Sequence, residues 1–174
     1  MLNQGHAAGI FQLVRRNMEY LRKWLPWVDG VTAVADTSDF ISRTIDQHEK
    51  GRGPQYLIEF QGISAGVIGF HPIDWSNRNA EIGYWLGEEF AGSGLMTKSV
   101  EQLLKIGFQE MNLNKIEIRC AADNKSSRAV AERVGMVYEG ILRQEEWLYD
   151  HFVDHAVYSM LQGEFKTLTG NEGE

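Results

Sequence analysis

The change from strand-like to helix-like sequence falls in one stretch, Glu88-Glu89-Phe90-Ala91-Gly92-Ser93-Gly94-Leu95-Met96-Thr97-Lys98. The stretch follows an apolar, aromatic-rich run and precedes a run of apolar residues at three-or-four spacing. Backbone amides of a glycine turn and of the first turn of a helix favour an anion at the point where they meet. We therefore interpret the stretch as a phosphate cradle. The alternative is a plain helix-start turn capped by Ser93.

The flanking sequence predicts a single layered α/β (α+β) domain over residues 1–165, followed by a polar tail over residues 166–174. Apolar periodicity predicts helices over residues 8–24, 38–50, 95–111 and 126–134. Alternating, β-prone runs predict strands over residues 56–60, 65–73, 80–86, 115–121, 137–149 and 153–161. Because the joins between the first three strands are short and turn-rich, we expect a largely antiparallel sheet.

Composition and charge narrow the classes of function. The 174 residues are 43% hydrophobic and 24% charged, and the formal net charge of -7 gives no support to nucleic acid or an anionic membrane as a partner. No apolar run approaches the roughly 18 residues of a membrane-spanning helix, and the start lacks the features of a secretory signal. We therefore expect a cytoplasmic protein. The one cysteine, Cys120, alternates with Ile116 and Ile118, which predicts a buried, inert thiol rather than a nucleophile.

Two common phosphate-binding motifs do not fit the cradle. Gly87 and Gly92 have the spacing of the two glycines of a P-loop, but Ser93 stands where the lysine belongs. A dinucleotide fingerprint needs a third glycine or alanine, and Thr97 stands there. That fingerprint also needs a βαβ unit, whereas the strand before the cradle ends an antiparallel meander. A nucleoside triphosphatase and a dinucleotide-binding enzyme are therefore disfavoured.

A second constellation lies further along the chain, where Asn124-Lys125-Ser126-Ser127 precedes a helix that closes on Gly135-Met136. Together with Ala80-Glu81-Ile82-Gly83-Tyr84-Trp85-Leu86, the Gly-Ser-Gly turn and Tyr20-Leu21-Arg22-Lys23-Trp24-Leu25-Pro26-Trp27, it resembles the GNAT superfamily of acyl-CoA-dependent N-acetyltransferases. The nearest likeness is to the RimL-type branch, which includes ribosomal-protein Nα-acetyltransferases. The resemblance runs from about residue 6 to residue 161.

The resemblance implies a GNAT fold, with a mixed, mostly antiparallel sheet of about six or seven strands flanked by about four helices. Family members usually open with a strand before the first helix. Here only residues 1–5 precede that helix, so we expect the first strand to be missing or shortened.

The resemblance also implies acetyl-CoA as the acyl donor and no metal. The family holds the coenzyme A pyrophosphate on backbone amides of the turn and the following helix, which here are Gly92, Ser93, Gly94, Leu95, Met96 and Thr97. The usual Arg or Gln of the turn is replaced by Ala91. The preceding strand, with Trp85, Leu86 and Gly87, would splay from its neighbour and pair with the pantetheine arm. An amide near Leu86 or Gly87 could donate to the oxyanion.

Acetyl transfer to an amine needs a neutral nucleophile, and a base is useful because amines are mostly protonated at neutral pH. By resemblance, Glu146 is the base, acting through water, and Ser127 is the acid that protonates the coenzyme A thiolate. Asn124 would hold the pantetheine arm or a water, although Asn124 and Ser127 are also natural helix caps. His71 is the second candidate base. Glu145 and Glu146 point to opposite faces of their strand, so at most one of them serves the cleft.

We therefore expect an acetyl-CoA-dependent N-acetyltransferase that works by direct attack in a ternary complex. The expected acceptor is the N-terminal α-amine of a protein such as a ribosomal protein. One alternative is a small amine, such as a polyamine or an aminoglycoside. Another is a non-catalytic acyl-CoA-binding protein. From the branch resemblance we also expect a homodimer.

Overall fold

The computed structural model describes residues 1–170 of the chain. Within that part the strands are β1 (Gln55–Phe60), β2 (Ile63–Phe70), β3 (Asn79–Leu86), β4 (Lys115–Ala121), β5 (Val137–Leu148) and β6 (His151–Leu161). The helices in the same part are α1 (Ala7–Arg16), α2 (Met18–Arg22), α3 (Val34–Glu49), α4 (Leu95–Lys105), α5 (Lys125–Arg133) and α6 (Gln162–Gly170). A π-helical turn, Ile106–Glu110, continues α4.

The six strands form one sheet in the order β1-β2-β3-β4-β6-β5. Four of the five neighbouring pairs are antiparallel, and only β3 and β4 run parallel. The prediction of a layered α/β protein with a mixed, mostly antiparallel sheet is therefore confirmed.

Helices cover both faces of the sheet and enclose two apolar clusters. The larger cluster joins the sheet to α4 and α5 and includes Ile82, Val100 and Ile118, all at most 1% exposed. The smaller cluster joins α1 and α3 to β1 and β2 through Ile10, Ile41 and Val67. None of the helices described in residues 1–170 is long and apolar enough to cross a membrane.

No strand precedes α1 in the described part of the chain. Instead, Leu2 is buried, and its backbone amide donates to the carbonyl of Gln55 at the start of β1 over 2.9 Å. The beginning of the chain is therefore tied to the edge of the sheet by a backbone bond without forming a ladder.

The single helix predicted over residues 8–24 is wrong, because the chain breaks at Asn17 into α1 and α2. Asn17 is 5% exposed. Its side-chain amide nitrogen donates to the Leu13 carbonyl over 3.0 Å, and its side-chain oxygen accepts from the Glu88 amide over 2.8 Å. A side chain that competes for helical carbonyls and is also fixed by a distant amide favours a break. The break therefore joins the first helices to the turn after β3.

The end of the described chain contains a helix that the sequence patterns do not predict. Helix α6 begins at Gln162, and its Phe165 stacks on Phe108 with ring centroids 5.1 Å apart. The boundary predicted at residue 165 thus falls inside α6. Of the predicted polar tail, residues 166–170 belong to this helix, and residues 171–174 lie outside the described residues.

Candidate active site

The centre of the sheet contains an opening between its two parallel strands. β3 and β4 pair only from Asn79 opposite Lys115 to Glu81 opposite Glu117. Beyond Glu81, β3 stays paired with β2 on its other side as far as the bond from the Gly87 amide to the Ala65 carbonyl, 2.9 Å long. The two strands are therefore joined at one end only, as the splayed strand predicted by family resemblance requires.

The pairing of β3 with β2 decides which backbone groups face the opening. The amide of His71 bonds the Glu81 carbonyl, and the amide of Gly87 bonds the Ala65 carbonyl. Because bonded and non-bonded pairs alternate in an antiparallel ladder, the backbone groups of Ile82, Tyr84 and Leu86 point away from β2, towards the opening. The Gly87 amide is already bonded, so of the two predicted oxyanion donors only Leu86 keeps an amide directed there.

Tyr84 crosses the opening and meets the start of α5. Its hydroxyl lies 2.9 Å from the Ser127 hydroxyl, where either oxygen can donate, and donates to the Ser127 carbonyl over 3.2 Å. Burial raises the pKa of Tyr84, and its hydrogen bond with Ser127 only partly opposes this effect. The Tyr84 hydroxyl is therefore neutral and lies beside Ser127, the predicted acid. The sequence analysis missed this partner, although Tyr84 lies within the quoted strand motif.

Asn124 caps α5, since its side-chain oxygen accepts from the Ser127 amide over 3.1 Å. The Ser127 hydroxyl does not cap the helix and instead contacts Tyr84. Of the two candidate caps in the sequence, Asn124 is therefore the one that is used. Cys120 lies beside Ser127 in the wall of the opening and is 8% exposed. Burial raises the pKa of its thiol more than the contact with Ser127 lowers it. This agrees with the predicted inert thiol.

A cavity of about 670 Å³ runs from the opening between β3 and β4 to the side of the sheet that α1 and α3 cover. It brings five predicted residues together: Trp85, Asn124, Ser127, Glu146 and His71. The other predicted cofactor residues do not line it: Leu86, Gly87, Gly92, Ser93, Gly94, Leu95, Met96 and Thr97.

Glu146 lies in β5 opposite Val153 of β6, and its carboxylate is 3.4 Å from the imidazole of His155. Both side chains line the cavity. The neighbouring Glu145 does not line it and instead lies 3.8 Å from the Arg119 guanidinium. The strand alternation thus separates the two glutamates, and it is Glu146 that lies at the cavity.

A chain of ion pairs extends along β3 and β4 at the same end of the cavity. The Glu81 carboxylate lies 3.5 Å from Arg119 and 3.8 Å from His71. Burial raises the pKa of Glu81, and the electrostatic interactions with His71 and Arg119 oppose this effect. In the neighbouring Glu117, burial is outweighed by hydrogen bonds from Lys115 and Arg119, which hold the pKa of that carboxyl below its usual range. Glu81 is a second cavity carboxylate that sequence reasoning missed.

A short apolar segment, residues 24–27, forms one side of the cavity, and we call it the aromatic wall. It consists of Trp24, Leu25, Pro26 and Trp27, all of which line the cavity. The ring of Trp27 lies 5.9 Å from that of Trp85 on β3. The wall therefore closes the cavity on the side of α1 and α3.

The predicted phosphate cradle, residues 92–97, has the backbone of an anion site. Gly92 and Gly94 have φ angles of 74° and 76°, a left-handed conformation that side chains rarely adopt, and no atom lies within 4 Å of a β-carbon built there. The Ser93 hydroxyl donates to the Phe90 carbonyl over 2.6 Å. Helix α4 then begins at Leu95, whose amide donates weakly to the Ser93 hydroxyl oxygen over 3.4 Å, and the amides of Met96 and Thr97 have no intrahelical partner. The cradle thus offers backbone donors on an exposed turn.

Among residues 1–170, no group of three or more His, Cys, Asp or Glu side chains is placed to hold a metal ion. The polar side chains that line the cavity include three hydroxyls, three carboxylates, two imidazoles and two guanidinium groups.

Comparison with known proteins agrees with this geometry. The sequence model of the family described as acetyltransferase (GNAT) domain matches residues 1–137. The ribosomal-protein-serine acetyltransferase of Escherichia coli (strain K12) is 32% identical over 158 residues, which cover 91% of this chain and 88% of that protein.

Two solved structures share the fold over nearly their whole length. One is the ribosomal-protein α-N-acetyltransferase RimL in complex with coenzyme A, with a TM-score of 0.88, 33% identity and coverage of 92% of this chain and 90% of that chain. The other is the self-immunity acetyltransferase MccE in complex with acetyl-CoA and AMP, with a TM-score of 0.86, 29% identity and coverage of 91% and 88%.

The matches confirm the resemblance read from the sequence, the predicted fold and the predicted class of enzyme, an acetyltransferase. The predicted acyl donor agrees with the solved relatives, which hold acetyl-CoA or coenzyme A. The chain belongs to the GNAT acetyltransferase family.

Proposed function

We propose that this chain transfers the acetyl group of acetyl-CoA to the N-terminal α-amine of a protein, such as a ribosomal protein, by direct attack in a ternary complex. One observation carries the proposal. A single cavity joins the Tyr84–Ser127 hydroxyl pair at the strand opening to the Glu146–His155 pair at its other end. The relatives named for ribosomal-protein acetylation support the choice of acceptor.

The described residues fit coenzyme A. The backbone groups of Tyr84 and Leu86 that face the opening have no strand partner, so they can pair with the amide-rich pantetheine arm beside Trp85, Gly87 and Asn124. The cradle amides can hold the pyrophosphate. When bound there, acetyl-CoA supplies an activated acetyl thioester.

Glu146 is our proposed base. Its carboxylate faces the cavity, and the half-buried His155 beside it can share the proton that Glu146 takes from the acceptor amine through water. The amine must lose this proton before it can attack, since even an α-amine is mostly protonated at neutral pH. His71 lies further along, against Glu81, and is the second candidate.

Ser127 is our proposed acid. The neutral Tyr84 hydroxyl, 2.9 Å away, hydrogen-bonds the Ser127 hydroxyl and holds it in place. Ser127 gives its proton to the leaving sulfur and is reprotonated, through water, by the proton that the attacking nitrogen loses as the amide forms. The Leu86 amide, which points into the opening, is the proposed oxyanion donor.

A small polyamine is the second candidate acceptor, since it is a cation as a peptide N-terminus is. Three carboxylates line the cavity, on Asp36, Glu81 and Glu146, and they outnumber the two guanidinium groups there, on Arg43 and Arg119. Such a cleft attracts a cation regardless of whether the cation is a peptide N-terminus or a small amine.

We also propose that the protein acts in the cytoplasm as a homodimer that pairs through the edge strand β5. The last hairpin exposes six large apolar side chains, on Val137, Tyr138, Ile141, Leu142, Trp147 and Phe152. An exposed, apolar edge strand is a site for pairing with another chain.

Sedimentation equilibrium should give twice the mass of one chain, and Trp147→Glu should shift the protein to the mass of one chain. A wild-type protein that sediments as a single chain would rule out the dimer.

The choice of acceptor is tested by a thiol-release assay with acetyl-CoA. We expect turnover with a peptide that has a free N-terminal serine and little with the same peptide blocked at its N-terminus, because only the free α-amine is available as nucleophile. Spermidine and an aminoglycoside serve as small-amine comparisons. Turnover of spermidine without turnover of the free peptide would reject a protein acceptor.

The cradle is tested by a matched pair of glycine substitutions. Gly94 and Gly62 both have left-handed φ angles, 76° and 77°, and open space around a β-carbon, so alanine strains both backbones alike. Gly94→Ala places a methyl group at the amides of α4, and we expect about tenfold weaker coenzyme A binding by calorimetry. Gly62→Ala should bind coenzyme A as wild type does. Equal affinities for the two variants would argue against the cradle.

The acid and the base are tested by steady-state kinetics. Glu146→Gln and Ser127→Ala should each lower kcat by about tenfold to a thousandfold, the scale expected for loss of a general base or acid. The Ser127 amide that Asn124 caps is retained in Ser127→Ala, so the fold of α5 should not change. Glu145→Gln and Ser126→Ala are the neighbouring controls and should keep wild-type kcat. A Glu146→Gln enzyme with wild-type kcat would show that another group, such as His71, is the base.

A further inference from the structure

The hairpin that carries Glu146 contacts the aromatic wall through Tyr149, which lies outside the lining of the cavity. β5 and β6 are joined by Tyr149 and Asp150, and Tyr149 has a φ angle of 58°. A left-handed conformation is uncommon for a bulky residue and is strained. The contacts of the Tyr149 side chain offset that strain.

Those contacts all go to the segment that contains the aromatic wall. The Tyr149 hydroxyl donates to the Leu25 carbonyl over 2.7 Å. The guanidinium carbon of Arg22 lies 3.8 Å from the centre of the Tyr149 ring, and the Arg22 guanidinium also holds the Asp29 carboxylate at 2.9 Å. Residues on both sides of the wall are therefore gathered around one side chain.

The wall is only partly buried. Leu21 and Val28, at its two ends, are 3% and 0% exposed, whereas Pro26 and Trp27 between them are exposed and Trp24 and Leu25 are half-buried. Its middle is held by a few contacts, among them the bond from the Leu25 amide to the Leu21 carbonyl and the packing of Trp27 on Trp85. An exposed segment moves more freely when one of its few contacts is lost. The bond from Tyr149 to the Leu25 carbonyl is in the middle of the wall.

The hydroxyl is suited to this bond because it remains protonated. Burial, together with the negative charge of Asp29, raises the pKa of Tyr149. A neutral phenol donates, whereas a phenolate would repel the carbonyl oxygen.

We propose that Tyr149 is a positioning residue for acceptor choice: it fixes the aromatic wall across from Glu146 and so limits the size of the first side chain of the acceptor. The inference rests on the proposed function, since it concerns the acceptor end of the same cavity. A fixed wall admits an acceptor with a small first residue, such as serine, and excludes one with a large first residue. If the wall is released, acceptors with small and with large first residues both enter, and an acceptor with a small first residue is held less tightly.

Tyr149→Phe tests this inference because it removes the hydroxyl and keeps the ring under Arg22. The matched control is Tyr56→Phe, which removes a hydroxyl from a half-buried position in β1, outside the cavity and outside the hairpin. The probes are two peptides that differ only in their first residue, serine or phenylalanine. Initial rates are measured over both peptide and acetyl-CoA concentrations, after melting curves have shown that the variants are folded.

For Tyr149→Phe we expect the KM for the serine peptide to rise by about three- to tenfold, the effect of one lost hydrogen bond. The serine-over-phenylalanine ratio of kcat/KM should fall by a similar factor. The KM for acetyl-CoA and the kcat should stay close to wild type, and Tyr56→Phe should match wild type throughout. A Tyr149→Phe enzyme with the wild-type selectivity ratio, or one whose only change is a lower melting temperature, would overturn the inference.

The failure of this inference is distinguishable from the failure of the proposed function. If the wild-type enzyme acetylates spermidine and no peptide, the proposed acceptor is wrong. The same pair of variants then decides the inference with spermidine. A raised KM in Tyr149→Phe alone supports the positioning role, and an unchanged KM rejects it.

Discussion

The early end of pairing between β3 and β4 is the constraint on which the rest of the structure depends. Three residue pairs join these strands, and beyond them the backbone groups of Tyr84 and Leu86 face an opening in the middle of the sheet. Backbone amides and carbonyls inside a protein need partners, and no strand supplies them here. A ligand with amides of its own, such as a pantetheine arm, meets that need. The split sheet therefore offers such a ligand unpaired backbone groups before any side chain is considered.

The elements around the opening are tied to one another across the fold. Tyr84 joins β3 to the start of α5, and Asn17 joins the break between α1 and α2 to the amide of Glu88, ahead of the cradle. Tyr149 joins the hairpin that contains Glu146 to the aromatic wall. Each tie is a buried or half-buried polar contact, which is costly to leave unpaired. A few specific hydrogen bonds thus fix the positions of the strand opening, the turn after β3 and the aromatic wall relative to one another.

Much of the fold could be predicted because it follows local patterns. The strand over residues 115–121 alternates strictly, and its predicted bounds are those of β4. The break at Asn17 could not be predicted, because it depends on the distant Glu88 amide, and α6 was missed because its Phe165 packs on Phe108. At the site, the family motif predicted Ser127 and Glu146. Glu81 and Tyr84 were missed, because periodicity does not reveal where two paired strands separate.

The most direct test of the account is a crystal structure of this protein with coenzyme A bound. The account predicts that the pantetheine arm lies between β3 and β4 with its amides bonded to the backbone of Tyr84 or Leu86. The sulfur should lie within about 4 Å of the Ser127 hydroxyl, the reach of a hydrogen bond to sulfur, and the pyrophosphate should lie on the amides of residues 92–97. Coenzyme A bound outside the opening, or with its sulfur far from Ser127, would contradict the account.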